Sequence, residues 1–84
     1  MNALELLNSG SYKLQKQKIK THRIDSEILL SKVLNKSREQ ILIRLNQNMK
    51  NTEVYEFDNL IQRRLNKEPI AYIINEKEFW SKKF

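Results

Sequence analysis

Arg63-Arg64-Leu65-Asn66-Lys67-Glu68-Pro69-Ile70-Ala71-Tyr72-Ile73-Ile74-Asn75-Glu76-Lys77-Glu78-Phe79-Trp80-Ser81-Lys82-Lys83-Phe84 is the stretch on which the reading of the fold turns. It holds the single proline, the single tryptophan and two of the three phenylalanines. Up to Leu65 the apolar residues recur at helical spacing. Beyond Asn75 they come as Phe79-Trp80 and Phe84 among charges, with nothing after them to pack against. Large aromatics are out of place on a terminus, where chains are ordinarily polar and loose. The expectation is a chain cut inside a longer protein, with residues 1–75 forming a helical domain and residues 76–84 beginning a connection.

Working outward, the composition sets the class. Eighty-four residues make one small domain, which buries roughly 60% of the surface its unfolded chain exposes. The absence of cysteine removes disulfides and thiolate metal sites. An intracellular, cytoplasmic location is the simplest expectation. No apolar run approaches the ~20 residues of a membrane span, and the first ten residues are too short and too acidic for a signal peptide. One glycine and one proline argue against an all-β fold with its many tight turns. Abundant Leu, Lys, Glu and Gln favour helix. The composition therefore predicts an all-α fold, a small five-helix bundle followed by a C-terminal extended tail.

The individual helices follow from spacing and caps. A first helix runs from just after Asn2 towards Gln17, with Ala3, Leu7, Gly10 and Leu14 in one stripe. Gly10 is read as the point where a neighbouring backbone comes close. Thr21 caps a second helix, His22 to Leu34, with Asp25 and Glu27 in its first turns, where negative charge suits the helix dipole. Leu29, Leu30, Val33 and Leu34 cover one face and Ile24 and Ile28 another, which suggests the central helix of the bundle. Ser37 and Gln40 have the spacing of a capping box. The short helix they open reaches Leu45 and buries Ile41, Leu42 and Leu45. After a polar linker, Asn51 or Thr52 caps a fourth helix that buries Val54, Phe57, Leu60, Ile61 and Leu65. Asn66 tolerates the left-handed conformation at its end, and Pro69 suits the first turn of a short fifth helix reaching Ile74.

The charge pattern is less specific. Net charge is +6, and Lys13, Lys16, Lys18, Lys20 and Arg23 follow one another without an acid between them. Such a run is an electrostatic footprint for nucleic acid or an acidic partner, or else a solvated helix face. No Gly-rich or aromatic element is read alongside it, which favours the solvated face. His22, isolated at a helix start, reads as a surface residue. Glu76 and Glu78 do not make an acid–base pair without an enclosing pocket. No catalytic, cofactor-binding or metal-ligating constellation is found.

Arg63-Arg64, Glu68-Pro69-Ile70-Ala71-Tyr72-Ile73 and Glu78-Phe79-Trp80 resemble the segment joining the two domains of the release-factor glutamine methyltransferases, the PrmC/HemK family. Asp25-Ser26-Glu27-Ile28-Leu29-Leu30 is similar to the Asp-Ala-Glu-Leu-Leu-Leu segment of that family's second helix. Lys67 and Asn75 stand where the family usually has glycine.

The resemblance implies a substrate-recognition domain over residues 1–75. Residues 76–84 would begin an interdomain β-hairpin, leading to a catalytic domain missing from this chain. It implies that the parent enzyme uses S-adenosylmethionine to methylate the glutamine of the Gly-Gly-Gln motif in class I peptide chain release factors. Neither the cofactor nor a catalytic residue is assigned to these 84 residues. The release factor is the implied partner. Lys16, Lys20, Arg23, Arg63 and Arg64 are the candidate contact residues, and Tyr72, Phe79 and Trp80 are candidates for packing against the catalytic domain. The alternatives are a basic helical module that binds nucleic acid and a structural appendage of a catalytic domain. In the hairpin reading, Glu78 to Phe84 is extended, with Phe79 and Ser81 on one side and Trp80 and Lys82 on the other.

Overall fold

The computed structural model describes residues 1–74. The expectations for residues 76–84, including the extended tail and the roles of Phe79 and Trp80, lie outside the described residues. Helix α1 spans Ala3–Lys16, α2 His22–Leu34, α3 Arg38–Ile43 and α4 Asn51–Leu65. A fifth helical segment, α5, covers residues 70–74, so the all-α five-helix architecture is as expected. Among the described residues no helix is long and apolar enough to cross a membrane.

Each start has an identifiable cause. Asn2 and Glu5 form a reciprocal capping box on α1, with Asn2 Oδ1 accepting from the Glu5 amide at 2.8 Å and Glu5 Oε1 from the Asn2 amide at 2.9 Å. Ser37 and Gln40 do the same for α3. The cap of α4 is Lys50, one residue before Asn51 and two before Thr52, the expected caps, because extended Lys50 precedes the helix and Glu53 reaches back to the Lys50 amide at 2.8 Å. Thr21 occupies the cap position of α2, but its hydroxyl donates to Asp25 Oδ2 at 2.9 Å instead of capping an amide.

Three helices end without glycine. Lys18, Asn35 and Lys67 take positive φ, at 63°, 56° and 73°. After each, the next amide reaches back to a carbonyl five residues earlier: Ile19 to Leu14, Lys36 to Ser31, and Glu68 to Arg63. These are Schellman closures, which satisfy carbonyls that the helix leaves open. Asn66, expected to take the left-handed conformation, keeps φ at −80°. The closure geometry demands it one residue later, at Lys67.

The core lies between α1, α2 and α4, with α3 against α2. Leu7, Leu14, Leu29, Leu30, Phe57, Ile61 and Ile73 are completely buried, each contributing on the order of 1.5–3 kcal/mol by leaving water. Leu45, Val54, Leu65 and Ile70 pack on this core from its edge. The expected polar linker is more ordered than its composition suggests. Ala3, Leu4 and Met49 donate backbone hydrogen bonds to Gln47, Leu45 and Met1, lacing residues 45–49 to the N-terminus and burying Met49.

Two packing expectations are corrected. Leu42 is exposed, because three successive apolar residues on a helix cannot all face one way and Ile41 takes the inward position. Gly10 makes room for side chains and not for a backbone. A Cβ there would lie 2.6 Å from Phe57 Cζ, 2.8 Å from Phe57 Cε2 and 2.9 Å from Ile61 Cδ1.

Overpacking in Gly10→Ala should therefore cost about 1–3 kcal/mol against a ~1 kcal/mol gain in helix propensity, for a net destabilisation of up to about 2 kcal/mol. Denaturant unfolding checks this, and a more stable variant would contradict the packing. Lys67→Gly should instead stabilise by up to about 1 kcal/mol, since glycine adopts positive φ without steric penalty.

Candidate functional site

The sequence segment Asp25-Ser26-Glu27 forms a row of buried polar groups on α2, exposed by only 3%, 0% and 7%. Charge is rarely buried so far unless paired. Each member of this row has its partner on another helix. Asp25 Oδ2 accepts from Arg64 Nε of α4 at 2.9 Å. The Ser26 hydroxyl donates to the Leu7 carbonyl of α1 at 2.8 Å. Glu27 Oε1 accepts from Arg38 Nη2 of α3 at 2.8 Å and from its Nε at 3.0 Å, while Oε2 takes Arg23 Nε at 3.2 Å. Arg23 Nη1 continues to Asn8 of α1 at 2.8 Å. Among the described residues no buried side-chain nitrogen or oxygen lacks a hydrogen-bond partner.

The second polar cluster closes the α4–α5 turn. Arg64 Nη1 donates to the Glu68 carbonyl at 3.0 Å, so one guanidinium ties α2, the end of α4 and the turn together. Arg63 donates to both oxygens of the Glu68 carboxylate, from Nη2 at 2.8 Å and from Nε at 3.2 Å. The hydrogen bonds from Arg63 hold the Glu68 carboxyl below its ordinary value, against an opposing effect of desolvation and with a lesser contribution from the Arg63 charge.

The candidate contact residues thus fall into two groups. Arg23, Arg63 and Arg64 all join helices or close a turn. Lys16, the last residue of α1, and Lys20, on the α1–α2 connection, are exposed, and Lys16 Nζ sits 5.5 Å from the centre of the exposed Tyr12 ring. An aromatic therefore does accompany the basic run, one helical turn before Lys16. Lys13 of the same run faces Asp58 of α4 at 3.8 Å. His22 is half-buried, with Nδ1 2.7 Å from the Ser11 hydroxyl, so it is held by α1 and is not merely a surface residue. Tyr72 is 56% exposed on α5.

A surface that sequence reasoning missed surrounds α3, where Lys36, Gln40, Ile43 and Arg44 line a depression of about 200 Å³. Its only signal was the uninterrupted Ile41-Leu42-Ile43 run on so short a helix. Among the described residues no group of three or more His, Cys, Asp or Glu side chains is placed to hold a metal ion.

The described residues make a compact α2-centred helical scaffold whose two buried acids, Asp25 and Glu27, are paired with arginines of α4 and α3. The chain belongs to the PrmC N-terminal domain family, whose model matches residues 5–74. It is 42% identical over 80 residues to the bifunctional methyltransferase of Rickettsia typhi (strain ATCC VR-144 / Wilmington), covering 95% of this chain and 15% of that protein. It is 46% identical over 66 residues to the release factor glutamine methyltransferase of Coxiella burnetii (strain RSA 493 / Nine Mile phase I), covering 74% and 22%. The release factor glutamine methyltransferase of Buchnera aphidicola subsp. Baizongia pistaciae (strain Bp) is 41% identical over 78 residues, covering 93% and 28%. The chain spans between 15% and 28% of the length of these three relatives. No solved structure matches it.

The Arg63–Glu68 contact yields a pH prediction. A carboxyl whose folded pKa is depressed contributes stability above its unfolded value and loses it as pH falls through the folded value. Carbon-detected titration should place Glu68 below 4.5, and Arg63→Gln should move it upward. Identical midpoints in the two proteins would contradict the assigned cause.

Proposed function

We propose that this domain holds a class I peptide chain release factor for a methyltransferase domain on the same polypeptide. That enzyme would transfer a methyl group to the side-chain amide of the Gly-Gly-Gln glutamine, in the cytoplasm. S-adenosylmethionine, bound by the catalytic domain, would supply the methyl group. Residues 1–75 are the recognition domain in this reading and residues 76–84 the start of the interdomain hairpin.

The observation that carries the proposal is the family match over residues 5–74, together with relatives named for that activity. Physical chemistry says why such a domain is useful. An amide nitrogen is a poor nucleophile, so the alignment of glutamine and methyl donor dominates the barrier. Binding energy from a surface remote from the reaction can supply that alignment, provided the surface is rigid. The polar row on α2 joins this bundle at three neighbouring helices and supplies that rigidity.

The contact is assigned to the basic α1–α2 face, with Lys16, Lys20 and Arg23, and secondarily to Arg63 and Arg64 at the end of α4. Tyr72, Phe79 and Trp80 are assigned to packing against the catalytic domain. Because Arg23 also joins Glu27 and Asn8, the clean test leaves it intact. In the methyltransferase that carries this domain, Lys16→Glu with Lys20→Glu should raise KM for the release factor while kcat changes little. An unchanged KM would remove this face from consideration. Mass spectrometry showing no methylation of the Gly-Gly-Gln glutamine by the unaltered enzyme would overturn the function itself.

A further inference from the structure

We propose that the groove around α3 docks a short acidic segment of a partner polypeptide carrying one apolar side chain. Two depressions adjoin there. The larger, about 320 Å³, lies between the end of α2, the start of α3 and α5, with Ile28, Lys36 and Ile74 among its lining residues. The smaller, about 200 Å³, is lined by Lys36, Gln40, Ile43 and Arg44. Lys36 and Gln40 line both, so the two depressions adjoin across these side chains.

The chemistry of the lining is one-sided. Lys36 and Arg44 bring positive charge to it, and no carboxylate lines either depression among the described residues. Gln40 adds to this bias. Its side-chain oxygen accepts from the Ser37 amide, which leaves its NH2 group as the part free to meet a ligand. Donors and cations without an acid select an anionic partner.

The groove also offers apolar surface. Ile28 and Ile74 are half-buried, and Ile43 is 79% exposed, the largest exposure among the large apolar side chains of the described residues. A single exposed isoleucine is ordinary; one standing beside Arg44 at the rim of a concave site completes an amphipathic lining. The backbone is already fixed, since Lys36 closes α2 on the Ser31 carbonyl and Ser37 caps α3. A peptide would meet a preorganised site. Nucleic acid fits less well, because no aromatic residue among those lining the groove is available to stack a base.

The test uses the isotope-labelled chain and end-blocked tetrapeptides in which Asp and Glu flank a single Leu, Ile, Val or Phe. Amide shifts should centre on residues 36–44, and peptides with Asn and Gln in place of the acids should leave them unmoved. Lys36→Glu with Arg44→Glu should weaken binding by about tenfold or more, and Ile43→Ser should weaken it with the fold intact. Lys16→Glu with Lys20→Glu should leave it unchanged. Shifts that centre on Lys16 to Lys20, or equal loss in that control, would reduce the effect to general charge and overturn the proposal. So would the absence of any shift at millimolar peptide, or tighter binding of a single-stranded RNA oligonucleotide to the same amides. No release factor enters this experiment, so its outcome is independent of the proposed methyltransferase role.

Discussion

Asp25 places a carboxylate on the inward side of α2 with only 3% of its surface exposed, and the fold depends on Arg64 being there to meet it. Breaking such a pair by removing one partner typically costs about 3–5 kcal/mol, because the remaining charge stays buried and uncompensated. For a domain of this size that is a large share of total stability. The pair also fixes geometry. Arg64 is the penultimate residue of α4 and reaches on to the Glu68 carbonyl, so the register of α4 on α2 and the path into α5 are set by one side chain.

The same logic explains why apolar periodicity predicted where α2 lies but misread what it buries. Leu29 and Leu30 are inward as their spacing suggests, yet Ile24 is 47% exposed while Asp25, Ser26 and Glu27 are buried. A pattern reader assigns acids in a first turn to the helix dipole. That they are internal follows only from Arg64, 39 residues away, and from Arg38 on α3. Several local signals were legible: the Ser37–Gln40 box, the bounds of α2, and the turn before Pro69. Long-range pairings were not, nor was the choice of Lys67 over Asn66 for positive φ, which depends on the closure bond from Glu68 to Arg63.

This division sorts the cations by task. Arginines at 23, 38, 63 and 64 hold the bundle together with their planar, multiply donating heads. Lysines at 16, 18 and 20 stay exposed at the end of α1 and on the α1–α2 connection. The segments that carry the family resemblance, Asp25 to Leu30 and Arg63 to Ile73, are mostly occupied with internal structure. They mark the architecture of the domain more directly than its contact surface. A recognition surface on such a scaffold is free to vary in residues that no internal pair restrains.

A double-mutant cycle on Asp25→Ala and Arg64→Ala, read by denaturant unfolding of the 84-residue chain, tests the central claim most directly. Arg64→Ala alone should cost about 3 kcal/mol. Its cost should fall sharply in the Asp25→Ala background, giving a coupling of about 2 kcal/mol. Additivity within about 0.5 kcal/mol would show that the two residues act independently and that the bundle does not depend on their pairing.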